Sequence, residues 1–257
     1  MIRSLAFATL GATLTLAACA GLDTSTTESQ DKQSELVDAA TRNAAQAAEA
    51  AYDYRTAAAS WNTLFQRHPN DAGLALALAR DLRYNGQPQQ AITIAGGFLE
   101  RHGASPALLA ELGKGYLAAD RLPLAEQALR RAAKAAPRDW EAQSALGVAL
   151  DYQGKYTAAQ QAYALALQAS PDNPIILNNL GLSQAEAGQL AAAQATLQKA
   201  ADQPAATAQV RQNLALLKAL AGDFDSAERL SRQDLPPDAV RANAAYYRLL
   251  AGAARVP

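Results

Sequence analysis

Small and large apolar residues return along this chain at fixed intervals between stretches of polar positions. Leu146-Gly147, Gly154, Ala159, Tyr163, Ala166 and Pro171 reappear 34 residues later as Leu180-Gly181, Gly188, Ala193, Leu197 and Ala200. One step earlier stand Leu112-Gly113, Ala125, Leu129, Ala132 and Pro137, and before them Leu78-Ala79, Gly86, Ala91 and Phe98. Ala57, Trp61, Leu64 and Pro69 extend the series backward, and Leu214-Ala215, Gly222 and Ala227 extend it forward. Within each unit the apolar residues fall three and four apart, the spacing of one face of a helix. A glycine near the middle ends the first helix in a tight turn, and a proline separates one unit from the next. Two helices per unit are therefore predicted, in six units starting near residues 38, 72, 106, 140, 174 and 208.

The unit beginning at Trp140 resembles the tetratricopeptide repeat. That resemblance implies an all-α fold, a right-handed α-solenoid of about six helix-turn-helix repeats over residues 37–235, with a concave groove lined by the first helices. Each repeat buries its apolar face only against its neighbours, so the open end needs a helix with one polar side. Residues 236–257 supply it: Val240, Ala244, Tyr247 and Ala251 share one side, with Arg241, Asn243 and Arg248 elsewhere, and Pro236-Pro237-Asp238 mark the start. Core packing is expected for at least one of Tyr246 and Tyr247.

Composition agrees with helices, since half the residues are apolar but only 6% are aromatic. The 23 Lys and Arg against 24 Asp and Glu leave a net charge of −1, with no surplus to draw the protein onto a phosphate backbone. Nucleic acid is accordingly excluded as the expected partner.

The N-terminus has a different character. Arg3 precedes an apolar run from Leu5 to Ala18, the layout of a secretory signal, and the run is shorter than the roughly 20 residues of a membrane span. Residues 1–18 are read as that signal. Leu16-Ala17-Ala18-Cys19 resembles the bacterial lipobox, which implies cleavage before Cys19 and acylation of its thiol; the alternative is a free cysteine in an ordinary signal. Cys19 is the one cysteine of the chain, so the mature protein has no thiol left for a disulfide or a thiolate catalyst. Attached acyl chains contribute about 0.8 kcal/mol per buried methylene, and more than one chain gives stable anchoring. In the lipoprotein family an aspartate after the cysteine favours inner-membrane retention; Ala20 here implies the outer membrane, facing the periplasm. Residues 19–36, the lipidated cysteine and a Ser/Thr-rich polar stretch, are read as a flexible tether.

Candidate chemistry is sparse. The two histidines, His68 and His102, occupy equivalent places at the ends of second helices and lack cysteine or clustered carboxylate partners, so no metal and no cofactor is expected. Neither a nucleophile elbow nor a phosphate-cradling glycine loop is present, which argues against an enzyme. Function then falls to the groove. The resemblance implies that the residue before the Leu-Gly pair faces the concave surface, where an asparagine amide holds the backbone of an extended peptide. Asn179 and Asn213 stand there, as does Asn43, whereas Ala77, Glu111 and Ala145 interrupt the ladder. An amide both donates and accepts, matching a peptide's own N–H and C=O. Asn178 and Gln212 enrich the patch, and Arg80, Arg83, Tyr84, Lys114, Asp151 and Tyr152 line the same helix face.

The stretches LNNLGLSQAEAGQ (177–189), VRQNLALLKALAGDFDSAERL (210–230) and ANAAYYRLL (242–250), behind a lipobox, resemble the tight-adherence (Flp-type) pilus assembly lipoprotein. That resemblance implies a scaffold for assembly of a thin adhesive type IVb pilus, supporting the placement or stability of its secretin, with a protein or peptide segment as partner. Two alternatives share its class: a pilotin-like lipoprotein of another type IV pilus or secretion system, and a periplasmic adaptor that recruits cell-wall enzymes.

Overall fold

The computed structural model describes residues 23–253, and all of the regular structure among them is helical. Six helix pairs follow one another: α1 (Asp23–Ala50) with α2 (Tyr54–Arg67), α3 (Ala72–Tyr84) with α4 (Pro88–His102), and α5 (Pro106–Ala118) with α6 (Leu122–Ala135). Then come α7 (Trp140–Asp151) with α8 (Tyr156–Ala169), α9 (Pro174–Glu186) with α10 (Leu190–Ala201), and α11 (Ala208–Leu220) with α12 (Phe224–Ser231). A final helix, α13 (Pro237–Ala253), closes the array against α11 and α12. First helices start at residues 72, 106, 140, 174 and 208, on the 34-residue step. The last repeat keeps its register although Pro204 sits one place early, because the loop 202–207 absorbs the offset.

Two kinds of residue set the local structure. Asp71, Asp139, Asn173 and Thr207 precede first helices, and each side chain accepts a hydrogen bond from an N–H of the first turn, a cap worth about 1 kcal/mol. Gly154, Gly188 and Gly222 end first helices with φ of 69°, 78° and 90°, a left-handed conformation that costs a Cβ-bearing residue energy. Asp120 holds the same position with φ 55° in the third repeat, consistent with the tolerance of aspartate for that region.

The small-against-large pattern is the packing between the two helices of a repeat. Leu78, Leu146 and Leu214 are at most 6% exposed on first helices, and Trp61, Leu129, Tyr163 and Leu197 at most 4% on second helices. At α13 the core packing expected of at least one tyrosine falls to Tyr247, which is 7% exposed and packs with Ala215, Ala219 and Ala227, whereas Tyr246 is 55% exposed.

Successive first helices touch one another, α3 with α5, α5 with α7, α7 with α9 and α9 with α11, while among the described residues no comparable contact joins successive second helices. First helices thus line the inner side of the array, which is the face predicted for the candidate residues.

The tether reading needs correction over residues 23–36, which form the first half of α1. Arg67 at the end of α2 donates to Ser34 and pairs with Asp38 at 2.6 Å, and His68 meets the other Asp38 oxygen at 2.6 Å. These contacts hold a polar segment that has no apolar face of its own. The signal, the lipobox and Cys19 lie outside the described residues. No described helix is long and apolar enough to cross a membrane.

Candidate functional site

Along the inner side the 34-residue register turns one helix face into rows of equivalent side chains. The row containing Arg80 continues as Lys114, Val148 and Leu182, so its charge gives way to apolar contact area toward the C-terminus. The groove accordingly has two differently built parts.

The first part, about 440 Å3, lies between the end of α1 and the faces of α3, α5 and α7. Arg80 donates from Nη2 to Glu49 Oε1 at 2.5 Å and from Nε to Asp81 Oδ1 at 3.0 Å, so one guanidinium serves two carboxylates. Glu49 is fixed further by the indole N–H of Trp61 at 2.6 Å. Arg83 reaches Glu111 at 2.6 Å, with side chains only 14% and 4% exposed, and Lys114 reaches Glu141 at 2.8 Å. Tyr54 and Tyr84 stack at the rim with centroids 4.8 Å apart, and the Arg83 guanidinium lies 4.2 Å from the Tyr84 ring centre. Burial pushes the Asp81 carboxyl up to about 6; the Arg80 ion pair opposes that rise and neighbouring Glu49 adds to it.

The second part, about 210 Å3, lies between α7, α8 and α9. Asp151 is its anchor: Oδ2 accepts from the Tyr163 hydroxyl at 2.8 Å and Oδ1 from the Ser183 hydroxyl at 2.6 Å, which ties three helices together. Burial raises the Asp151 carboxyl above the ordinary carboxylate range against these two bonds, and burial with the Asp151 charge raises Glu186. Burial also raises the Tyr163 phenol, which remains a donor. Tyr152, 72% exposed, and Asn179 border this part.

The amide patch is a chain of hydrogen bonds. Asn213 Nδ2 donates to Asn178 Oδ1 at 2.8 Å, and Asn178 Nδ2 donates to Asn179 Oδ1 at 3.3 Å. Asn178 is 7% exposed, so it orients its two neighbours and offers little surface to a ligand itself. Gln212 donates to Asp234 at 3.3 Å beside the stronger Arg211–Asp234 pair. That pairing holds the Asp234 carboxyl below its usual range.

The structure therefore gathers Arg80, Arg83, Tyr84 and Lys114 into one depression and Asp151, Tyr152 and Asn179 into a second. Asn178, Gln212 and Asn213 form a network on α9 and α11. Asp151 differs from the sequence reading in that both oxygens are occupied within the protein. Sequence reasoning missed Glu49, Asp81 and Glu111, since it sought amides and counted Glu111 as a gap. Glu111 occupies the position of Asn179 two repeats earlier, and that equivalence was the available signal. His68 engages Asp38, and His102 stacks on Phe98 with centroids 4.3 Å apart. Among the described residues no three His, Cys, Asp or Glu side chains cluster in a metal-binding arrangement.

Comparison with known proteins agrees with this architecture. The tetratricopeptide repeat family model matches residues 76–138 and 110–174. A comparison with curated proteins returns no match. Among solved structures, the fold is similar to that of Pseudomonas aeruginosa pilF, with TM-score 0.62, 16% identity, and coverage of 77% of this chain and 90% of that one. It is also similar to a thermophilic tetratricopeptide protein of Thermus thermophilus, with TM-score 0.57, 23% identity, and coverage of 68% and 97%. A chain of the APC/C hetero-tetramer Cut9-Hcn1 aligns with TM-score 0.60 at 15% identity over 72% of this chain and 36% of its own length.

The protein is an all-α tetratricopeptide-repeat solenoid. Fold and groove together define a helical-repeat scaffold with a lined inner face.

Proposed function

We propose that the chain is a lipid-anchored scaffold of the periplasmic face of the outer membrane, whose groove captures a segment of a pilus-assembly component. The tight-adherence (Flp-type) system is the reading adopted, with support of its secretin as the task. The observation that carries the binding role is the groove itself, a continuous inner face with exposed Tyr84 and Tyr152 and bond-oriented amides at Asn179 and Asn213. Exposed tyrosines give large contact area at low entropic cost, and oriented amides match an extended backbone. The system assignment is supported by the sequence resemblance of residues 177–189, 210–230 and 242–250 behind Leu16-Ala17-Ala18-Cys19. The likeness to pilF is one of fold.

Anchoring and assembly are tested together by Cys19→Ser in the native host. The variant should persist as uncleaved precursor, fail to fractionate with the outer membrane and leave the cells without adhesive pili. Normal processing, or normal pili from unanchored protein, would overturn the anchored reading.

A further inference from the structure

The first part of the groove carries an imbalance of charge that its own residues leave unresolved. Three cations, Arg80, Arg83 and Lys114, face four carboxylates, Glu49, Asp81, Glu111 and Glu141, while Asp139 is engaged as the cap of α7. Arg83 and Lys114 each take one carboxylate. Arg80 alone serves Glu49 and Asp81. The consequence falls on one atom: Asp81 is 0% exposed, and its Oδ2 is buried without a hydrogen-bond partner while the residue lines the depression. Leaving a buried acceptor unsatisfied costs about 1–3 kcal/mol, and more for a charged group. Burial, with a smaller contribution from neighbouring Glu49, raises the Asp81 carboxyl, and the Arg80 ion pair opposes that rise only in part. Tyr54 and Tyr84 stand beside it, offering ring surface to an alkyl stem or a cation.

The geometry points to a subsite at Glu49 and Asp81 that takes the cationic side chain of a lysine or arginine from an extended segment of a partner protein. The ammonium or guanidinium donates to Glu49, whose side chain is 25% exposed, and its charge neutralises the second carboxylate that Arg80 shares, while the side-chain stem lies against the tyrosines. Charge complementarity selects this occupant. An acidic segment would add a carboxylate to a site already short of one cation, and a wholly apolar one would leave the excess carboxylate unneutralised. The inference rests on the reading of the groove as a peptide-binding surface and specifies where, and for which side chain, it is selective.

The test is selection of a displayed library of random dodecapeptides on the full chain, followed by fluorescence anisotropy with the recovered peptides. Recovered sequences should share one Lys or Arg, and its replacement by norleucine or glutamate should weaken binding about tenfold or more. Asp81→Asn and Glu49→Gln should each remove most of that preference while circular dichroism shows an intact helical fold. Because Asn keeps an oxygen for Arg80, Asp81→Asn isolates the loss of charge. Peptides recovered without a shared basic residue, or bound equally by both variants, would overturn the subsite and leave the scaffold reading standing. Failure to recover any peptide would also overturn it, and crosslinking in cells from the second part of the groove then decides the scaffold reading separately.

Discussion

A Cβ built on Gly147 of α7 would lie 2.5 Å from Cε1 of Tyr163 on α8. The glycine is thus the floor on which the ring of its partner helix rests, and the same relation recurs between Gly113 and Leu129 and between Gly181 and Leu197. The 34-residue pattern of small against large is this contact, repeated. Gly147→Ala is expected to destabilise the protein by about 1–3 kcal/mol, the usual cost of forcing extra volume into a packed core. Gly97→Ala meets nothing within 4 Å and gains helix propensity of up to about 1 kcal/mol. Urea unfolding of the two variants should give shifts of opposite sign.

Arg83 and Glu111 form an ion pair between α3 and α5 that is almost removed from water. Cutting one partner leaves a buried charge uncompensated, so Glu111→Ala should cost about 3–5 kcal/mol. Arg83→Met combined with Glu111→Leu should recover most of that loss, since an apolar pair of similar volume avoids desolvation. A double-mutant cycle measured by thermal unfolding checks both statements. A double variant as unstable as Glu111→Ala would show that the pair contributes more than its desolvation costs.

For Asp81 the folded carboxyl titrates near 6 against 3.8 for the free side chain. The folded protein therefore binds more protons than the unfolded chain between those values, and stability falls as pH rises through that window. Asp81→Asn carries no such proton. Its melting temperature relative to the parent should rise from pH 4 to pH 7, and a difference that stays flat would contradict the shift.

Asp38 is the clasp that holds the first half of α1 to the end of α2 through Arg67 and His68. Exposed ion pairs contribute only about 0–1 kcal/mol, so Asp38→Ala should leave global unfolding nearly unchanged. It should still speed limited proteolysis within residues 30–36, because Asp38 and Ser34 fasten that stretch to the end of α2. Unaltered cleavage would show that α1 is held by other contacts.

The contrast between α1 and the later helices explains what the sequence disclosed. First helices at 72, 106, 140, 174 and 208 were legible because Gly147-type floors and Tyr163-type fillers must keep a fixed spacing. Residues 23–36 have no apolar stripe, so their helix depends on tertiary contacts that no local pattern announces. Groove membership followed from register, which placed Arg80, Arg83, Tyr84 and Lys114 on one face. Which polar atoms remain open did not, because Asp151 is closed by Tyr163 and Ser183 from two other helices, and Asp81 is left short by Glu49 from α1. Those relations depend on distances across the array rather than on spacing along the chain.

Photo-crosslinking in cells, from p-benzoylphenylalanine in place of Tyr152, puts the scaffold reading to its sharpest trial. Tyr152 is exposed in the groove beside Asn179, and the replacement keeps an aromatic ring there. Mass spectrometry of the adduct from the full chain, expressed in its native host, should identify the secretin or another component of the pilus machinery. Capture of cell-wall enzymes instead, or of nothing from a well-expressed and correctly folded protein, would contradict the proposed role of the groove in pilus assembly.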